Sequence, residues 1–146
     1  MRTELQFLKF DDEMTEPIPI KAGVPQGSPL SPILFIIYIA SLYENLGSIA
    51  GLLVVGFADD TNLLSFARDA QVNRQRLERA WQICEEWASS SGMQFAPKKS
   101  ELIHFTRARH PIRLKLRLGV TEIEPQESAR FLGIWLDRKL TFTEHI

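Results

Sequence analysis

Asp59 and Asp60 are adjacent carboxylates set between two apolar runs, residues 52–58 and 63–67. Apolar runs of this length, broken by Asp59, Asp60, Thr61 and Asn62, read as the two strands of a hairpin and its turn. Successive side chains on a strand point to opposite faces, but a tight turn breaks that alternation. The two carboxylates can therefore lie near one point, where they repel unless a cation sits between them. A hard divalent cation such as Mg²⁺ takes oxygen from one or two carboxylates and leaves the rest of its shell to water and substrate phosphates. The plain alternative is a turn and nothing more, because Asp and Asn cap their own backbone and tolerate left-handed geometry.

A second stretch lies about thirty residues upstream. Gly23-Val24-Pro25-Gln26-Gly27-Ser28-Pro29-Leu30-Ser31-Pro32 carries three prolines and two glycines and runs into the apolar residues 33–40. Together the two stretches resemble the reverse transcriptase family, in the branch found in non-LTR retrotransposons. The decapeptide is similar to that family's loop and helix, motif B. Phe57-Ala58-Asp59-Asp60 is similar to its metal-binding box, motif C. Pro97-Lys98-Lys99-Ser100 resembles motif D, and residues 131–137 resemble motif E, the primer grip. The resemblance extends over nearly the whole chain.

The resemblance implies an RNA-directed DNA polymerase that extends a DNA primer on an RNA template with dNTP. It assigns Asp59 and Asp60 to Mg²⁺ or Mn²⁺, in a reaction where two ions about 3.5–4 Å apart stabilise the attacking and leaving oxygens. It places Gln26 and Gly27 at the incoming nucleotide, where glycine removes the Cβ that would block close approach. It puts Phe57 beside the primer terminus. Lys99, or Lys98 in its place, would protonate the departing pyrophosphate. A strand matching motif A, with its third carboxylate, is not found in this sequence, nor are fingers or thumb. The implied object is one domain, residues 1–146, a partial palm truncated at both ends, inactive without the remainder of the polymerase. Two other readings stand beside it: a non-catalytic relic or interaction module, and an unrelated metal-dependent nuclease or plain α+β domain.

The elements that must hold these residues follow from periodicity. Residues 3–10 and 16–21 read as a hairpin with Asp11-Asp12-Glu13 at its tip. Phe10-Asp11-Asp12 superficially echoes the later box, but its strands are less apolar and it lies too close to motif B to be a second metal strand. Ser28 or Ser31 can cap a helix over residues 30–45, with Pro29 and Pro32 in its first turn and Gly47 as a left-handed stop. That helix is apolar nearly all round and is expected to be buried. Val72, Leu77, Ala80, Trp81, Cys84, Trp87 and Ala88 recur at three- and four-residue steps and predict a helix over residues 69–90. Strands are predicted at 93–96, 100–106, 113–118, 120–124 and 130–136, and a helix from Thr141. The expected fold is α+β, a partial polymerase palm with an antiparallel sheet and helices packed on one face.

Composition bounds the rest. A single cysteine, Cys84, excludes an internal disulfide and fits a reducing compartment. The longest apolar run, residues 33–40, falls far short of the roughly 20 residues needed to span a bilayer. The net charge of −1 argues against a generic nucleic-acid binder, yet the charge is uneven. Lys98, Lys99, Arg107, Arg109, Arg113, Lys115 and Arg117 oppose only Glu101 between residues 98 and 117. Such a strip can follow a phosphate backbone.

Overall fold

The computed structural model describes residues 27–142 throughout and, before them, four strands: β1 (Glu4–Gln6), β2 (Lys9–Phe10), β3 (Glu13–Met14) and β4 (Ile18–Ile20). The chain divides into two compact units, Met1–Ile39 and Ala40–Ile146. In the first, β1 runs antiparallel to β4 with Glu4 opposite Ile20, and β2 antiparallel to β3 with Lys9 opposite Met14. These are nested ladders of the expected N-terminal hairpin. Its tip at Asp11 and Asp12 lies outside the described residues.

Helix α1 (Ser31–Gly47) starts where Ser28 accepts from the Leu30 N–H through its Oγ at 3.3 Å and from the Ser31 N–H through its carbonyl at 3.1 Å. Pro32 occupies the first turn, where a missing N–H costs nothing. The expectation of a buried helix needs correction. Only Ile39, Leu42 and Leu46, one stripe at three- and four-residue steps, are buried, while Ile33, Leu34, Ile36 and Ile37 are exposed. A helix apolar on every side needs partners on every side, and a single stripe is covered here. Gly47 is the last helical residue and not a left-handed stop. The helix ends because the Ser48 hydroxyl donates to the Asn45 carbonyl at 2.6 Å, and the left-handed residue is Gly51, φ +77°.

In the second unit, β5 (Leu52–Phe57) and β6 (Asp60–Ser65) lead into α2 (Ala70–Ser91). Asp69 caps α2, accepting the Gln71 N–H at 2.8 Å, and Gly92 at φ +69° closes it. The predicted stripe is present: Ala80, Trp81, Cys84, Trp87 and Ala88 are buried. Val72 is not part of it and stays partly exposed. The Phe95 ring meets Trp81 edge-on at 5.9 Å and Trp87 at 6.4 Å.

Beyond α2 a short 3₁₀ turn (Pro97–Lys99) precedes β7 (Leu102–Ile103), β8 (Leu116–Leu118), β9 (Thr121–Ile123), β10 (Pro125–Gln126), β11 (Ser128–Phe131) and β12 (Ile134–Asp137). The architecture is α+β. The expected single antiparallel sheet is replaced, among the described residues, by separate two-stranded ladders. β5–β6, β8–β9 and β11–β12 are antiparallel, and β7–β10 is parallel. Residues 93–96 form no strand, and the strand expected at 100–106 shrinks to β7. The run expected as one strand at 130–136 is a hairpin. It turns at Leu132 and Gly133, φ +48° and +88°, the paired positive angles of a type I′ turn. The helix expected from Thr141 lies, past Phe142, outside the described residues. Asp137 accepts the N–H groups of Lys139, Thr141 and Phe142 and the Thr141 hydroxyl. Burial opposes its charged form, but these bonds outweigh it and hold the carboxyl below its ordinary range.

The predicted alternation at residues 113–118 survives in β8, where Leu116 and Leu118 are buried and Arg117 faces out. Lys115 pairs with both Glu122 and Glu124 on the surface, so its charge is balanced locally. Arg113 and Arg117 remain exposed.

Cys84 is buried, and burial followed by the neighbouring Glu85 charge pushes its thiol from 9.0 up to about 11. The folded chain therefore holds this proton at a pH where the unfolded chain releases it, so stability falls as pH rises from about 9 to about 11. Urea unfolding across that range should show a steeper loss for the wild type than for Cys84→Ala. Equal slopes would mean that the buried thiol is not a source of the alkaline sensitivity.

Candidate metal-binding turn

β5 and β6 pair from Leu52 opposite Ser65 to Phe57 opposite Asp60. The turn is thus two residues, Ala58 and Asp59, and Asp60 is the first residue of β6. The sequence places the second strand at 63–67, yet the ladder begins at Asp60, because backbone pairing continues through polar residues at an exposed hairpin tip. Ala58 has φ +51°. Positive φ at the first central position alone is the type II′ pattern, whose twist matches that of the flanking strands. A non-glycine residue there costs about 1–2 kcal/mol, which the paired strands must offset.

Asp59 and Asp60 are both exposed, and neither forms an ion pair among the described residues. Phe57, opposite Asp60, is 60% exposed. The Asn62 side-chain amide donates to the Val55 carbonyl at 3.3 Å and braces the ladder. Two clefts of about 280 and 310 Å³ open elsewhere in this unit, and neither is lined by Phe57, Asp59, Asp60 or Lys99. The candidate site is an exposed turn that lines neither cleft.

The structure brings together three of the sequence-predicted residues, Phe57, Asp59 and Asp60. Lys99 is exposed on the 3₁₀ turn and makes no ion pair with either carboxylate. Gly27, φ +88°, belongs to the first unit, and an added Cβ there would meet nothing within 4 Å. Gln26 lies outside the described residues. No group of three or more His, Cys, Asp or Glu that could hold a metal occurs among the described residues. Two adjacent carboxylates at one tip nonetheless suit a hard cation that completes its shell with other oxygens.

Tyr43 is a contributor that the motifs do not reveal. It stands on the last turns of α1, and its hydroxyl lies 3.2 Å from Thr61 Oγ1. One signal was legible: Gly56, a glycine inside an apolar strand, marks a close approach of something else.

The family described as "Reverse transcriptase (RNA-dependent DNA polymerase)" matches residues 2–136. The chain belongs to the reverse transcriptase family. Its curated relatives place it in the non-LTR retrotransposon type. It is 30% identical over 135 residues to the RNA-directed DNA polymerase from mobile element jockey of Drosophila melanogaster, covering 88% of this chain and 14% of that protein. The jockey polymerase of Drosophila funebris is 31% identical over 136 residues, covering 87% and 14%. The Pol polyprotein from type-1 retrotransposable element R1 of Bradysia coprophila is 27% identical over 130 residues, covering 86% and 12%. The chain thus spans about one seventh of the length of the jockey polymerases. No solved structure matches it. Membership in this reverse transcriptase family sets aside the unrelated-nuclease reading. No helix among the described residues is long and apolar enough to cross a membrane.

Proposed function

We propose that the chain is a palm segment of an RNA-directed DNA polymerase and that Asp59 and Asp60 hold Mg²⁺ or Mn²⁺ at the growing end of a DNA primer. The observation that carries this reading is the turn itself. It projects two adjacent carboxylates, both exposed and without a cationic partner among the described residues, within a stretch matched by the family. Divalent ions there would supply charge stabilisation to the attacking and leaving oxygens of nucleotidyl transfer.

This chain's own residues have narrower tasks. Asp59 and Asp60 offer oxygens to the cation. Phe57, exposed and directly opposite Asp60 in the ladder, offers an aromatic face to the primer terminus. Gln26 and Gly27 approach the dNTP, and Lys99 donates a proton to the departing pyrophosphate. Arg113 and Arg117 present positive charge to a phosphate backbone. Two carboxylates fill only part of a cation's shell, so the segment alone binds the metal weakly and does not extend a primer. The remaining ligands, with fingers and thumb, come from the rest of the polymerase.

The test is a titration of the ¹⁵N-labelled chain with Mn²⁺. Paramagnetic broadening should appear first at the amides of residues 57–61 and should be lost at the same Mn²⁺ concentration in an Asp59→Asn, Asp60→Asn double variant. Broadening that begins elsewhere, or that persists in the double variant, overturns the assignment.

A further inference from the structure

A two-stranded ribbon by itself is at best marginally stable in water. β5 and β6 pair only with each other among the described residues, so the ladder sets their register but not the attitude of their tip toward the rest of the unit. Something else must fix the tip if the two carboxylates are to hold a defined place.

Tyr43 meets both members of one cross-strand pair. Gly56 stands opposite Thr61, immediately behind the Phe57–Asp60 pair that closes the turn. A Cβ at Gly56 would lie 2.8 Å from the Tyr43 ring carbons Cε2 and Cζ and closer still to the hydroxyl. The phenol ring therefore occupies the space that any other residue would need. On the partner strand, the same hydroxyl shares a hydrogen bond with Thr61 Oγ1 at 3.2 Å. Tyr43 is half-buried and shares α1 with Leu42 and Leu46, both fully buried. The ring is thus carried by a helix held in the core by its neighbours, while its tip touches β5 and β6 together.

We infer that Tyr43 is a positioning residue for the metal-binding turn, with its ring seated on Gly56 and its hydroxyl bonded to Thr61. It connects the buried end of α1 to the strand pair one step behind Asp59 and Asp60. The cation it serves is the divalent ion of the proposed function, and the inference rests on that reading for its chemical meaning. The restraint on the hairpin is physical and can be measured without metal.

The experiment uses the whole chain, ¹⁵N-labelled, with two readouts. One is millisecond exchange at the amides of residues 57–61 by relaxation dispersion in the absence of metal. The other is the Mn²⁺ concentration that broadens those amides. Tyr43→Phe keeps the ring and removes the hydroxyl, Thr61→Val removes the partner oxygen, and Thr61→Ser restores it. Ser41→Ala serves as control, because it removes from the same helix as Tyr43 the Oγ that accepts from Trp87 Nε1, a hydrogen bond that involves no residue of the hairpin. One hydrogen bond of ordinary worth corresponds to a change of about 3–10-fold. Tyr43→Phe and Thr61→Val should each raise tip exchange and weaken Mn²⁺ binding by about that factor, with Thr61→Ser near wild type and Ser41→Ala without effect on the tip. Tip exchange unchanged in Tyr43→Phe, or raised equally by Ser41→Ala, overturns the inference. If wild-type chain binds no Mn²⁺ at the turn, the metal reading fails, and the exchange readout still decides whether Tyr43 restrains the hairpin.

Discussion

Asp60→Asn should abolish metal-dependent primer extension by a complete polymerase that contains this segment, while leaving the segment folded. The side chain is exposed and makes no ion pair among the described residues, so its loss removes no packing. A surface change of this kind shifts stability by no more than about 0.5 kcal/mol. Charge stabilisation by a catalytic metal is worth several kcal/mol, and each 1.36 kcal/mol is tenfold in rate. Extension should therefore fall by at least about 10³-fold at saturating Mg²⁺, with an unchanged melting curve. Asp59→Asn should behave alike, since the proposed site draws an oxygen from each of the two carboxylates. A rate within tenfold of wild type in either variant would remove that carboxylate from the metal site.

The largest effect on stability should come from Trp81→Ala. Trp81 is 9% exposed, lies on the buried face of α2 and meets Phe95 edge-on with the ring planes at 64°. Truncating a buried tryptophan costs about 3–5 kcal/mol, against a total of about 5–15 kcal/mol for a native domain. Far-ultraviolet circular dichroism in urea should place much of the Ala variant in the unfolded state near room temperature. Trp81→Phe separates the two roles of the ring. The indole Nε1 is buried with no hydrogen-bond partner among the described residues. A buried orphan donor costs about 1–3 kcal/mol, so Phe loses area but also removes that penalty. The Phe variant should lose less than half of what Ala loses. An Ala variant as stable as wild type would mean that the Trp81–Phe95 contact does not hold this unit.

Much was readable from local pattern because its causes are local. The Asp59–Asp60 tip, the span of α2, the N-terminal hairpin and the outward Arg117 between buried Leu116 and Leu118 follow from periodicity and turn residues, all decided within a few residues. The family was readable as well, since motifs B and C are contiguous stretches. Where β6 begins was not, because a backbone ladder carries on through Asp60, Thr61 and Asn62 without regard to their polarity. Nor was the hairpin at 130–136, where Leu132 takes a left-handed conformation that leucine does not advertise. The exposure of Ile33, Leu34, Ile36 and Ile37 depends on how many neighbours α1 meets, and an all-apolar helix says only that it would accept them. Tyr43 against Gly56 belongs to the same class. The glycine announces that something approaches, but which ring arrives is set by packing between an α-helix and a hairpin, and no spacing within either segment encodes it.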